Sequence, residues 1–105
     1  AKTIQKNAED KDYRRLNINI NNLARWETRT LLYHSRIRRF LNHLEPSERE
    51  KLATIEEKER IFIEQAAKQT QELRNHLSSA LKSPRGINWE NIKNRVNLLA
   101  GGVLK

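Results

Sequence analysis

Residues 22–44, NLARWETRTLLYHSRIRRFLNHL, decide the fold that is predicted for this chain. Apolar side chains recur in this stretch at steps of three, four and seven residues, which is the spacing of one face of an α-helix. Three aromatic residues, Trp26, Tyr33 and Phe40, stand seven apart and therefore share one edge of that helix. Pro46 disfavours helical geometry at the residue before it and ends the segment. The stretch predicts one long amphipathic helix.

This aromatic stripe (Trp26, Tyr33 and Phe40) has two interpretations. Aromatic residues at helical spacing usually belong to a hydrophobic core, so we expect the stripe to meet Ile55 and Phe62 of a facing helix. The alternative is that a short third helix leaves part of the stripe uncovered. An apolar patch exposed in that way marks an oligomer or partner surface.

The segment before this helix, residues 13–21 (YRRLNININ), fits two patterns. Its apolar residues alternate with asparagines as in a strand, whereas Leu16, Ile20 and Leu23 keep the steps of four and three that a helix requires. A lone strand would have no partner in the chain, and asparagine is poor in strands. We therefore expect the first helix to begin near residue 13.

A second long helix is predicted within residues 45–83. Ser47 and Glu50 form a capping-box pattern at its start. Its centre, residues 66–71, carries mostly small and polar side chains, so a kink or a break is expected there as an alternative to one continuous helix.

A third, shorter helix should follow the stop signal at residues 83–86, with Asn88 as its cap and Gly101-Gly102 at its end. The predicted fold is all-α: a long antiparallel helical hairpin with a third shorter C-terminal helix, in a single domain over residues 1–105. Residues 1–12 are expected to be a flexible arm.

The short connection at residues 44–47 requires the two long helices to run antiparallel. Facing residue numbers should then sum to about 90, which places Glu27 opposite Ile63 and His34 opposite Glu56, with Glu59 one turn away. These polar groups are expected on or beside the contact line of the hairpin.

Composition excludes several classes of protein. The chain has no cysteine, so disulfides and thiolate metal sites are excluded. No apolar run approaches the ~20 residues of a membrane span, and no signal peptide is visible. We expect a cytoplasmic, nucleoid or nuclear protein that is not secreted. No catalytic or metal-binding pattern stands out, so we expect neither an enzyme nor a cofactor, a metal or a small-molecule substrate.

The net charge of +8 is unevenly distributed, because residues 1–44 carry ten of the 21 basic residues and only four of the 13 acidic ones. An excess of this kind favours a polyanionic partner, although it can also serve solubility alone. An arginine row lies beside the aromatic stripe on the predicted helix. The row consists of Arg14, Arg15, Arg25, Arg29, Arg36 and Arg39.

Arginine binds phosphate groups in a bidentate manner, so the row predicts contacts with the backbone of DNA or RNA. The alternative is that carboxylates of the facing helix, at Glu48, Glu56 or Glu57, neutralise these arginines. The sequence thus favours a non-enzymatic nucleic-acid-binding accessory protein.

The second hypothesis is a helical adaptor or structural subunit that docks on an acidic partner, as a homodimer or within a larger complex. Its partner surface would be the apolar stripe of the third helix. That stripe consists of Trp89, Ile92, Val96, Leu99, Val103 and Leu104.

Overall fold

The structure is a computed structural model that describes residues 2–82 and 86–103. Four helices account for nearly all of these residues, and no strand occurs among them. The helices are α1 (Lys2–Glu9), α2 (Tyr13–Leu41), α3 (Pro46–Lys82) and α4 (Trp89–Val103). The predicted all-α class is confirmed, and residues 13–21 are helical as expected.

The helix starts follow from local capping. Asp12 accepts a hydrogen bond from the backbone N–H of Arg15 at 3.1 Å, and Asn88 accepts one from the N–H of Asn91 at 3.2 Å. Pro46 opens α3 at a position where its missing N–H costs nothing. The alternative of a break at the centre of α3 is not observed, since α3 is continuous through its 37 residues.

The expectation of a flexible arm at residues 1–12 is wrong for residues 2–9, which form α1. Ile4 and Ala8 stand one turn apart and are buried in the core, with 5% and 1% of their surface exposed. The side chain of Asn19 in α2 donates a 2.7 Å hydrogen bond to Asn7 in α1. A short amphipathic helix is therefore held against α2 by tertiary contacts, which its own sequence does not reveal.

One end of the molecule, here called the base, is a four-helix cluster. Each helix contacts two neighbours in the cyclic order α1, α2, α3, α4. The core of the base consists of Ile4, Ala8, Leu16, Ile20, Leu73, Leu77, Ile92, Val96 and Leu99. Burial of these apolar side chains is the main stabilisation of the fold.

Beyond the base, residues 24–66 of α2 and α3 continue as a two-helix projection, here called the arm. The molecule is 58 Å long and its radius of gyration is 17.0 Å. A compact domain of this length would have a radius of gyration of about 13 Å. The arm therefore exposes both of its faces along most of its length.

The contact line between α2 and α3, here called the seam, repeats every seven residues, as in antiparallel helical bundles. Its buried residues are Ile20, Glu27, His34 and Leu41 on α2, and Glu56, Ile63, Thr70 and Leu77 on α3. Half of these eight side chains are polar. Their mutual hydrogen bonds make this burial tolerable.

His34 lies with its Nδ1 atom 3.2 Å from Glu56 and its Nε2 atom 3.8 Å from Glu59, which confirms the predicted pairing. The predicted facing residue of Glu27 is Ile63. Its hydrogen-bond partner in the structure is instead Thr70, two turns further along α3, whose hydroxyl donates to the Glu27 carboxylate at 3.0 Å. Burial raises the pKa of Glu27, and the hydrogen bond from Thr70 opposes this shift only in part.

Candidate nucleic-acid interface

One face of the arm carries two clefts in which arginine is the most frequent lining residue. The first, the tip cleft, lies near the α2–α3 connection and has a volume of about 520 Å³. Its charged lining residues are Arg38, Arg39, Arg49, Arg60, Glu56 and Glu57. The second, the middle cleft, has a volume of about 500 Å³ and is lined by Asn21, Ala24, Arg25, Thr28, Arg29 and Arg74.

Two of the arginines in the tip cleft are partly neutralised. The Nε atom of Arg60 donates to both oxygens of Glu56 at 3.2 Å, and the Nε atom of Arg38 lies 3.9 Å from the same carboxylate. The hydrogen bond to Glu56 raises the pKa of Arg60, so this guanidinium stays protonated. Glu56 is itself almost fully buried, and it therefore presents little negative charge to a ligand.

The other two arginines of the tip cleft keep their charge free. Among the described residues, no carboxylate lies within 4.0 Å of Arg39 or Arg49. Arg49 donates only to the carbonyl of Leu44, at 3.4 Å, and its Nε atom is buried without a partner. Within the described ranges Arg39 and Arg49 thus take part in no ion pair, and the exposed carboxylate of Glu57 lines the same cleft.

The middle cleft is the simpler of the two, since no acidic residue lines it. Arg25 and Arg29 come from α2 and Arg74 comes from α3. Arg74 donates to the side-chain amide of Gln71 at 3.2 Å, a contact that leaves its positive charge uncompensated. Guanidinium groups are the donors that bind phosphate oxygens with bidentate geometry in proteins, and three of them surround this cleft.

The structure brings three members of the predicted arginine row to this basic face, namely Arg25, Arg29 and Arg39. Arg36 instead lies at the border of the opposite face, with its guanidinium 5.8 Å from the centre of the Tyr33 ring.

The remaining two members, Arg14 and Arg15, lie on the first turn of α2, and Arg15 pairs with Asp12 at 3.5 Å. The row is therefore divided among different surfaces. Its predicted neutralisation by Glu48, Glu56 or Glu57 is not observed for any of its members within the described ranges.

Four arginines of the basic face were missed by sequence reasoning: Arg38, Arg49, Arg60 and Arg74. The three on α3 are separated by 11 and 14 residues, about three and four helical turns, so their spacing places them on one side of that helix. Only the register of the hairpin reveals that this side borders α2.

The predicted partner surface on α4 is wrong. Ile92, Val96 and Leu99 are at most 2% exposed and belong to the core of the base, and Trp89 packs against it. The reason is that α1, which was not expected as a helix, completes the enclosure of α4. The side chain of Val103 and the whole of Leu104 lie outside the described residues.

The expectation of a buried aromatic stripe is also wrong. Trp26, Tyr33 and Phe40 are 52%, 61% and 62% exposed. The seam uses the residues directly after them in sequence, Glu27, His34 and Leu41, and this one-residue offset rotates the aromatic side chains out of the seam by about 100°. The alternative interpretation, an uncovered apolar patch, describes the stripe correctly.

Within the described ranges, no group of three or more histidine, aspartate or glutamate side chains is arranged to hold a metal ion. Likewise, none of the helices there combines the length and apolar character needed to cross a membrane. Comparison with known proteins gives no match: neither a family model, nor a curated protein, nor a solved structure is significantly similar to this chain.

Proposed function

We propose that this chain is a non-enzymatic nucleic-acid-binding protein that holds the phosphate backbone on the basic face of its arm. The observation that supports the proposal most directly is the middle cleft, where Arg25, Arg29 and Arg74 converge from two helices and no carboxylate lines the site. A polyanion with regularly spaced phosphates can occupy this cleft and the tip cleft together.

The spacing of the two clefts suits a nucleic-acid strand. Arg25 and Arg39 are separated by 14 residues of one continuous helix, or about 21 Å along its axis. That distance is roughly six steps of 3.4 Å along the axis of a duplex, which is more than half of a turn of about 10 base pairs. The rigid helix thus presents cationic groups to phosphates of opposite duplex strands, or to two points of one unwound single strand.

The mode of binding follows from the type of side chain. Arginine is the most frequent lining residue of both clefts, with four of the ten in the tip cleft and three of the six in the middle cleft. Phosphate contacts fix position but carry little sequence information. Binding should therefore be weakly sequence-dependent and steeply salt-dependent, because each neutralised phosphate releases condensed counterions.

The test is fluorescence anisotropy with labelled duplex and single-stranded oligonucleotides over a range of salt concentrations. The variant Arg25→Gln/Arg39→Gln removes one exposed charge from each cleft. Its matched control, Lys51→Gln/Lys58→Gln, removes the same net charge from exposed positions of α3 outside both clefts.

Loss of two phosphate contacts should make the negative slope of log K against log salt less steep by about 1.8, where K is the association constant. It should also weaken binding to a duplex about 60-fold at 0.1 M salt. The control variant should retain most of the affinity. Equal losses in both variants would reduce the proposal to unspecific attraction by net charge, and absence of binding at low salt would refute it.

A further inference from the structure

The face of the arm opposite the clefts carries a continuous apolar patch, here called the apolar face. Its members are each between 43% and 62% exposed. They are Trp26, Tyr33, Ile37 and Phe40 on α2, and Leu52, Ile55 and Phe62 on α3. Monomeric proteins of this size rarely leave so many large apolar side chains together in water.

The two helices contribute to one surface. Trp26 and Phe62 line the same groove, together with His34 and Glu59, and its volume is about 320 Å³. From this groove the apolar residues continue along both helices at steps of three, four and seven residues, so they stay on the same side of each helix.

This surface is the continuation of an interface that already exists inside the chain. On α2, Asn19 lies two turns before Trp26 on the same side of the helix and donates a hydrogen bond to Asn7 of α1. On α3, Leu73 lies three turns after Phe62 on the same side of the helix and belongs to the core of the base. The base thus covers half of one long apolar face with α1 and α4, and the other half is uncovered.

The uncovered area is close to what a stable dimer needs. Fully buried aromatic side chains contribute roughly 150–250 Å² each, so seven half-exposed large side chains offer about 600 Å². A standard interface buries about 800 Å² on each partner, and the stems of bordering side chains can supply the difference.

We propose that the apolar face is the dimer interface of this protein and that its occupant is the apolar face of a second copy. The two arms then stack face to face and antiparallel, and they form a four-helix bundle that continues the bundle of each base. A parallel stack would place the α1 and α4 helices of both copies in the same space, because these two helices contact each other, α2 and α3 on the side of the hairpin that carries Asn19 and Trp26. The basic faces of both copies point outward in the antiparallel dimer.

The charges at the border of the apolar face predict how this dimer responds to salt. Outside the tip and middle clefts, the exposed charged residues that stand three or four positions from its apolar members are the basic Arg36, Lys51 and Lys58 and the acidic Glu48 and Glu59, in a chain whose net charge is +8. Stacking brings two such positively charged chains together, and salt screens their repulsion. Dimerisation should therefore strengthen as salt rises, which is opposite to the expected response of nucleic-acid binding.

The experiment is sedimentation equilibrium of the full chain over a range of protein concentrations, at about 0.05 M and about 0.5 M salt, where the Debye length falls roughly threefold. The test variant Tyr33→Ser/Phe62→Ser changes one apolar residue on each helix of the arm. The control Leu81→Ser/Leu98→Ser changes two equally exposed apolar residues outside the apolar face. Circular dichroism verifies that both variants remain helical.

We expect a dimer that tightens at high salt, at least a tenfold loss of association in the test variant, and no loss in the control. A chain that stays monomeric at every concentration and salt would overturn the proposal and favour an acidic helical partner instead. A dimer that survives in the test variant, or that weakens equally in both variants, would also overturn it.

The orientation can be measured independently, because the chain has no cysteine of its own. A spin label on Ser47→Cys marks the tip of the arm. The antiparallel dimer predicts a distance of about 30 Å between the two labels, from ~10 residues on either side of the symmetry axis at 1.5 Å each. A distance under about 20 Å would refute the antiparallel arrangement.

Discussion

The replacement Glu56→Ala tests whether the polar seam holds the arm together. Glu56 is 5% exposed and lies between α2 and α3, where it accepts two 3.2 Å contacts from Arg60 and faces His34 at 3.2 Å. Alanine would remove the acceptor that faces the Nδ1 atom of His34 and the Nε atom of Arg60, which would keep only the longer contacts to Glu59 at 3.8 Å and Glu64 at 3.5 Å. The cost of the replacement is therefore the penalty for the poorly paired partners added to the lost contacts.

The magnitude follows from the burial of each partner. Removing one member of a buried ion pair typically costs ~3–5 kcal/mol, and a hydrogen bond to a charged group contributes ~1.5–3 kcal/mol. The Arg60 side chain is 23% exposed and can be partly rehydrated, whereas the His34 side chain is 6% exposed and cannot. We expect Glu56→Ala to lower the free energy of unfolding by about 3 kcal/mol, near the lower limit for buried pairs.

Urea denaturation followed by circular dichroism measures this difference. The matched control is Glu57→Ala, which removes the same group from the adjacent, exposed position and should change stability by less than about 0.5 kcal/mol. A double-mutant cycle with His34→Gln isolates the His34–Glu56 coupling, for which we expect about 1 kcal/mol. Similar losses in Glu56→Ala and Glu57→Ala would refute the reasoning that the seam depends on Glu56.

Two further predictions concern burial. Burial raises the pKa of Glu27 above the ordinary value of 4.5. Between the unfolded-state and the folded-state pKa, the folded chain therefore holds a proton that the unfolded chain has released. The free energy of unfolding should fall as the pH rises through this window. Glu27→Gln should therefore be more stable than the native chain at neutral pH but not below about pH 4. Chemical denaturation at several pH values measures the difference in the free energy of unfolding between the two chains. A difference that does not change with pH would contradict the prediction. Leu99→Ala should cost about 3 kcal/mol, because Leu99 is fully buried, whereas Leu98→Ala at a 67% exposed position should cost less than about 0.5 kcal/mol. Equal thermal shifts for these two variants would mean that α4 does not pack into the base as described.

Several features of the basic face could be anticipated and others could not. The arginines of α2 stood out because they are dense in a short stretch of sequence. Those of α3 are far apart in sequence and gave no local signal. The site depends on which side of each helix borders the other, and periodicity alone does not specify this rotation of a helix about its axis.

The sequence by itself determined the three longer helices and the hairpin. The steps of three and four, the cap at Asn88 and the short connection before Pro46 act within a few residues, so they are readable from the chain alone. The pairing of His34 with Glu56 also followed, because an antiparallel hairpin with a short connection restricts which residues can meet.

Only the tertiary structure decided which side of α2 is buried. Two series of residues seven apart run next to each other along this helix, one aromatic at Trp26, Tyr33 and Phe40, and one mostly polar at Glu27 and His34. Periodicity specifies a helix but not its rotation about its own axis. The polar series occupies the seam because His34 and Glu27 find hydrogen-bond partners across it, and the aromatic series is left outside because α1 and α4 extend over the base alone.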